Sequence, residues 1–320
     1  MLKKYFIHNT VAIAVLALAV VVSSCQPQTG ETQTTDTGIE YTLLKAGDGE
    51  KPQDGEVMLL NMAWKLPDDS AYRYNSMEQG GTPVPYQYTD SLASSGGLEE
   101  AYSLLRVGDS AEFKIPASNI FTQPDMQLPP DVTMESTMVF NIAVRDIQSE
   151  DEYREAQLSQ MQERLKRQIA ITEERTNRLI EANQQQIKED SIAISEYLAN
   201  NNMEAQVTES GLHYIILEEG EGGTPDKGDQ VSVHYEGTLL SGEKFDSSYD
   251  RGEPFKFPLG VGNVIPGWDE GISLMQKGGK AKLFVPSTLA YGPKARGDVI
   301  KENSILVFEV ELVDFTEFGS

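Results

Sequence analysis

Two hydrophobic periods run through this chain. In its last third, Val231-Ser-Val-His-Tyr235 and Ile305-Leu-Val-Phe-Glu-Val-Glu-Leu-Val313 are rich in β-branched and aromatic residues with partial alternation. That pattern predicts half-buried strands. Lys280 to Val285 predicts another strand, stopped by Pro286, which has no N–H to continue a ladder. Between them, Trp268 to Met275 begins with acids and spaces its apolar residues helically, predicting a brief helix closed by Gly278-Gly279. An antiparallel sheet carrying one short helix is an α+β arrangement. The middle of the chain has the other period. From Glu152 to about Lys188 there is no glycine or proline, and Leu158, Met161, Leu165 and Ile169 fall at helical spacing. A helix of about 35 residues, on the order of 50 Å long, is predicted. Asp190 or Ser191 is expected to cap a second short helix reaching Leu198 and ended by Asn200-Asn201-Asn202. Thr172 and Asn183 interrupt the apolar stripe. A homodimer through helix 152–188 and a monomer with a helical spacer both stay open.

The same turn glycines, prolines and apolar positions occur twice in one order. Gly38, Tyr41, Gly47, Gly49, Pro52, Gly55 and Leu66 recur at an offset of 173 as Gly211, Tyr214, Gly220, Gly222, Pro225, Gly228 and Leu239. Gly97, Glu100, Leu104, Gly108 and Pro116 recur at an offset of 170 as Gly267, Glu270, Leu274, Gly278 and Pro286. Phe140 and Asp146 recur at 168 as Phe308 and Asp314. The offset drifts only where loops are expected, which tolerate insertions. The chain reads as two copies of one fold, over residues 38–150 and 206–320, joined by a helical linker over 151–205.

Charge and the N-terminus narrow the setting. The formal net charge is −24, with no basic stripe to offset it. Such a surface repels phosphate backbones, which argues against nucleic acid as a partner. Lys3 and Lys4 precede an apolar run from Val11 to Val22. At about 12 residues this run is too short to cross a hydrocarbon core of ~30 Å. Residues 1–24 therefore read as a secretory signal. Their removal deletes two lysines and no acid, taking the charge from −24 to −26. Cys25, the sole cysteine, follows Val22-Ser23-Ser24 and resembles the lipidated cysteine of a bacterial lipobox. It has no partner for an intramolecular disulfide. A free cysteine behind an ordinary signal, or an uncleaved anchor, are the blander readings. Residues 25–37, polar and rich in Thr and Gln, are expected to be a flexible tether. The lipobox resemblance implies attachment to the membrane through lipid on Cys25, at the periplasmic or outer face of a Gram-negative envelope; the side stays open, with the outer membrane facing the periplasm as the expected place.

The second copy carries a series of motifs. Val233-His-Tyr-Glu-Gly237, Lys244-Phe-Asp-Ser-Ser248, Pro254-Phe-Lys-Phe257, Val264-Ile-Pro-Gly-Trp-Asp-Glu-Gly271, Leu289-Ala-Tyr-Gly292 and Leu306-Val-Phe-Glu-Val-Glu-Leu312 follow in order. They resemble the successive signatures of the FKBP-type peptidyl-prolyl cis/trans isomerases. The resemblance implies two FKBP-like domains, each a curved antiparallel sheet on a short helix. It also implies isomerisation of X-Pro bonds in proline-containing polypeptides, and macrolide inhibitors such as tacrolimus as candidate ligands. By resemblance, Trp268 forms the floor under the proline ring, with Tyr235, Phe245, Phe255 and Phe308 as walls and Val264 and Ile265 at the side. The Ile265 N–H and the Tyr291 hydroxyl donate to substrate carbonyls. Asp246 orients Tyr235 and Arg251, and Ile300 comes from the loop before the last strand. The blander reading is core packing for each aromatic alone, and a turn-forming residue for Asp246.

The chemistry asks for little else. Rotating an X-Pro amide out of plane meets an activation energy of about 20 kcal/mol. The twisted amide is less charge-separated than the planar one, so a desolvated apolar pocket favours it without nucleophile, metal or proton transfer. No cofactor is expected. His8, His213 and His234 are too few and wrongly spaced for a metal site. The loop Gly292 to Glu302 departs from the family pattern through Lys294, Arg296 and Lys301, which bears on substrate preference and macrolide affinity.

At the pocket positions the first copy has Met62 for Tyr235, Asn75 for Asp246, Leu98 for Trp268, Ser95 for Ile265 and Phe121 for Tyr291, while Phe140 matches Phe308. It is expected to keep the fold without the isomerase site. Two functions follow for the whole: an envelope folding catalyst for exported proteins, or a non-catalytic holdase or assembly factor that grips proline turns.

Overall fold

The computed structural model describes residues 29–123 and 126–318. Cys25 and the predicted signal over 1–24 lie outside the described residues. The chain divides into two compact units, Met1–Tyr153 and Arg154–Ser320.

In the first unit the chain runs β1 (Thr32–Thr34), β2 (Glu40–Lys45), β3 (Val57–Lys65), β4 (Tyr74–Asn75), β5 (Val84–Gln87), α1 (Leu98–Leu104), β6 (Ser110–Pro116), α2 (Ala117–Ile120) and β7 (Thr137–Gln148). Two helices follow, α3 (Glu150–Ala182) and α4 (Gln184–Asn200). The second unit then has β8 (Gln206–Val207), β9 (His213–Glu218), β10 (Gln230–Leu239), β11 (Lys244–Ser247), β12 (Phe255–Pro258), α5 (Pro266–Ser273), β13 (Lys280–Val285) and β14 (Leu306–Thr316). The first sheet has the order β1-β2-β6-β7-β3-β4 with β5 on β3. The second repeats it as β8-β9-β13-β14-β10-β11 with β12 on β10. Each sheet buries its inner face against its short helix: Ala101 and Tyr102 enter the first core, Trp268 and Ile272 the second. The duplicated α+β architecture is therefore present strand for strand.

The repeat starts earlier than the glycines suggest. The stretch expected as a tether over 25–37 contains β1, with Thr32 opposite Thr42 on β2. The hydroxyl of Tyr41 donates to Gln33 Oε1 at 2.7 Å, and that of Tyr214 donates to Gln206 Oε1 at 2.8 Å. Gln33 and Gln206 keep the offset of 173, so one latch is built twice. Backbone pairing plus that side-chain bond is what turns a polar, aperiodic stretch into structure.

The linker also differs from expectation. The helix break falls at Asn183 (φ −125°, ψ 26°), not near residue 190. There the Asn183 side-chain amide donates to the Leu179 carbonyl at 2.8 Å, competing with the helical ladder. Asp190 and Ser191 consequently lie inside α4 and do not cap it. Nor are the two helices a spacer standing apart. Ile180 packs on the second core, and Gln168 Nε2 donates to the Val261 carbonyl at 3.2 Å. On the outer face of the second sheet, Ile194 and Leu198 of α4 cluster with Phe284 and Val307. Leu158 and Met161, at the front of the stripe, are exposed.

His213 is part of the α4 contact. Its Nδ1 donates to the Gly211 carbonyl at 3.0 Å, which leaves Nε2 to accept from the Ser191 hydroxyl at 3.3 Å. Burial lowers this imidazole below its ordinary 6.5. A base whose folded value is depressed binds fewer protons folded than unfolded, so its contribution to stability falls as pH drops below 6.5. An NMR titration is expected to give His213 a midpoint below 6.5, with the second unit melting earlier as pH falls through that window. A midpoint at or above 6.5 would show that the imidazole is not sequestered.

Candidate functional site in the second unit

The site is made where α5 crosses the sheet. Ile265 stands just before the helix in an extended conformation (φ −65°, ψ 147°), as a residue preceding proline prefers, and Pro266 opens the first turn. The Ile265 carbonyl accepts from the Trp268 N–H at 2.9 Å, fixing the start of the turn that carries the indole. Gly267 and Gly271 lie one turn apart on the face toward β13. A Cβ on Gly267 would come within 2.4 Å of Val285, and one on Gly271 within 2.6 Å of Leu283. With no side chain at either position the helix settles low on the strand and presses Trp268 into the core, 5% exposed.

Around that indole the sheet supplies rings. Tyr235 of β10 meets Trp268 edge-on with centroids 4.8 Å apart, and Phe308 of β14 does so at 5.1 Å. Phe245 of β11 stands edge-on to Phe308 at 5.6 Å. Phe255 is at the rim, 40% exposed, stacked on Phe257 at 5.3 Å. Phe257 itself is buried 5.9 Å from Trp268 and was absent from the residues predicted to line the site. Ile300 is buried in the same cluster, with Val264, Ile265, Phe245 and Tyr291 packed against it. Trp268 and Tyr291 thus share one apolar body. The Trp268 Nε1–H is buried without a partner among the described residues. A buried, unpaired donor is uncommon and leaves the indole N–H available to a water or a bound acceptor.

A polar triangle sits at the edge. The Tyr235 hydroxyl donates to Asp246 Oδ2, Arg251 Nη1 donates to Asp246 Oδ1 at 2.7 Å, and Arg251 Nη2 donates to the Tyr235 oxygen at 2.9 Å. Burial pushes the Asp246 carboxyl up, but the bonds from Tyr235 and Arg251 outweigh it and hold the group below its ordinary value. The Tyr235 phenol is raised, first by burial and then by its bond to Asp246. Near neutral pH the pair is therefore a phenol bound to a carboxylate, with the Tyr235 ring fixed in place. The ion pair is half exposed and by itself contributes little.

The charged loop after Tyr291 is ordered. Arg296 and Ile300 bridge as a narrow hairpin, with the Arg296 N–H 2.8 Å from the Ile300 carbonyl. The Arg296 guanidinium lies 5.0 Å from the centre of the Tyr291 ring, near enough for a cation–π contact. Cys25, predicted as a lipidation site, lies outside the described residues.

A family model described as FKBP-type peptidyl-prolyl cis-trans isomerase matches residues 222–313. FK506-binding protein 1A of Neurospora crassa is 53% identical over 104 residues, 32% of this chain and 87% of that protein. The chain belongs to the FKBP-type peptidyl-prolyl cis-trans isomerase family. The FKBP-type isomerase FkpA of Aeromonas hydrophila is 54% identical over 120 residues, 37% of this chain. The chain spans 44% of the length of that relative. Crystalline FkpA from Escherichia coli is 37% identical, covering 53% of this chain and 76% of that one at a TM-score of 0.36.

The two FKBP-like units differ at one register position of the sheet. Gly237 on β10 pairs with Phe308, and a Cβ there would stand 2.7 Å from the Phe245 ring and 2.9 Å from that of Phe308. On β3 of the first unit the same register position is Trp64, paired with Phe140. By strand alternation Trp64 points to the face of the fully buried Leu60, and it packs on the first core. Trp64 thus puts a side chain where, in the second unit, the Phe245 and Phe308 rings close over a bare Gly237. The place of Asp246, opposite Gly237, is taken by Tyr74, opposite Trp64, and not by the expected Asn75, which is spent on its own turn, accepting from the Met77 N–H at 3.1 Å and donating to Glu78 at 2.9 Å. The Trp64/Gly237 contrast lies on the offset of 173, so the sequence alone carries it.

Proposed function

We propose that the second unit catalyses cis/trans isomerisation of X-Pro bonds in exported polypeptides, and that the first unit, with Met62 and Leu98 at the places of Tyr235 and Trp268, binds or positions clients. The observation that carries the reading is the aromatic cup of Trp268, Tyr235 and Phe308 with the Asp246–Tyr235–Arg251 triangle at its edge. A proline ring seated on Trp268 leaves water, and its amide loses charge separation as it twists. A dry pocket stabilises that twisted state more than the planar one, which is what lowers a barrier. The Ile265 N–H and the Tyr291 hydroxyl hold the flanking carbonyls, so that one side of the bond is fixed while the other turns. Trp268, Tyr291, Ile265 and Asp246 are the catalytic set, with Tyr235, Phe245, Arg251, Phe255, Val264, Ile300 and Phe308 binding substrate. FK506, for which the Neurospora relative is named, fits the same cup in this reading, as a macrolide competitor. The protein acts in a bacterial envelope, tethered through lipid on Cys25 at the outer membrane facing the periplasm. The exposed Leu158 and Met161 on α3 suit pairing of two chains.

Proline-limited refolding of a reporter protein tests the catalytic reading on the full chain. Trp268→Leu is expected to remove nearly all acceleration. Tyr291→Phe is expected to lower kcat/KM about tenfold, the worth of one lost hydrogen bond in a dry site. Equal rates for wild type and both variants would favour the holdase. Substantial turnover left in Trp268→Leu would assign activity to the first unit.

A further inference from the structure

The α4 helix lies outside the segment that the family model matches, yet it delivers a buried carboxylate to the turn that carries Tyr291. Asp190 is 4% exposed in the middle of α4. Its Oδ2 accepts from the Ser287 N–H at 2.7 Å and from the Ser287 hydroxyl at 2.6 Å, while Oδ1 accepts from Gln186 Nε2 at 2.9 Å. Ser287, fully buried, opens the 3₁₀ turn Ser287–Leu289, which runs through Ala290 into Tyr291. The Ser287 carbonyl in turn accepts from the Ala290 N–H at 3.0 Å and the Gly292 N–H at 2.8 Å, one on each side of Tyr291. We infer that Asp190 is a positioning residue for the isomerase site, acting through Ser287 to set where the Tyr291 hydroxyl stands.

The geometry favours this over simple docking. Docking needs only apolar contact, and Ile194 and Leu198 with Phe284 and Val307 provide it. A buried carboxylate costs desolvation and persists where its bonds repay it, and here two of those bonds go to a single residue at the base of the Tyr291 turn. The first unit supplies the contrast. At the offset of 170, Ser287 corresponds to Ala117, whose N–H donates to the Ser136 carbonyl at 2.8 Å with no carboxylate involved. The corresponding end of that turn is Phe121, which has no hydroxyl to aim.

This inference rests on the proposed role of Tyr291, and a double-mutant cycle in the full chain separates the two. In proline-limited refolding, Asp190→Ala is expected to lower kcat/KM about tenfold, comparable to Tyr291→Phe, with Asp190→Asn recovering part of the loss because its amide oxygen still accepts one bond. Asp190→Ala added to Tyr291→Phe is expected to cost little more, since both remove the same interaction. Amide chemical shifts of Ala290 to Gly292 are expected to move in Asp190→Ala while those of the β10–β14 ladder stay. Full activity in Asp190→Ala, or losses that multiply with Tyr291→Phe, would overturn the positioning role. Full activity in Tyr291→Phe would instead overturn the reading of the site. If Asp190→Ala does not fold, Asp190→Asn and Ser287→Ala enter the same cycle and are judged by the same outcomes.

Discussion

Gly237→Trp is expected to abolish the isomerase activity of the chain while both units stay folded. Any side chain at this position meets the Phe245 and Phe308 rings at 2.7 and 2.9 Å, so the cup must fill or its walls must move. The first unit shows that the fold accepts the larger residue, because Trp64 occupies the same register opposite Phe140. The change should therefore act on substrate seating more than on folding. Overpacking a core costs typically ~1–3 kcal/mol of stability, which a domain of this size survives. Activity should fall by at least about 100-fold, or ~2.7 kcal/mol of transition-state stabilisation. Circular dichroism and proline-limited refolding measure the two effects separately. Acceleration within twofold of wild type would place the reaction somewhere other than this cup.

The largest stability effect is expected at Phe284. Along β13, Ala281, Leu283 and Val285 face α5, whereas Phe284 faces the other way and is fully buried beneath α4. Its ring lies 5.9 Å from that of Tyr197. Phe284→Ala removes a large buried side chain from a contact that α4 cannot readily close, at a cost of about 3–5 kcal/mol. Thermal unfolding should report it, and limited proteolysis should cut α4 before the sheet. The matched control is Lys114→Ala at the equivalent place in the first unit, where Lys114 is half exposed and pairs with Glu40 at 3.1 Å; it should change stability by under ~0.5 kcal/mol. A cost below about 1 kcal/mol at Phe284 would mean that α4 is not seated in solution.

What the sequence disclosed, and what it withheld, follows from the range of each interaction. Strands such as Lys280–Val285 were legible because alternation is local and a proline ended the run. The cup was legible because its residues sit in short motifs, so Trp268, Tyr235 and Phe308 fell into one cluster. The position of α4 was less so, since it depends on a contact between Asp190 and Ser287, far apart in the chain. A trace existed nevertheless: Phe284 points outward where the other copy has Lys114, and an outward phenylalanine needs a cover. Asn183 interrupts the apolar stripe in the sequence, but whether it breaks the helix turns on one side-chain bond to Leu179. The strand Thr32–Thr34 was missed because Thr and Gln carry no apolar rhythm, and its order comes from a neighbouring strand and a single glutamine.

The paired Gln33–Tyr41 and Gln206–Tyr214 latches bear on ancestry and engineering alike. A contact present in both units implies that the duplicated segment already carried its leading strand. Anyone grafting either module onto a new scaffold should place the seam ahead of that glutamine, or the transplanted sheet will arrive with a bare edge.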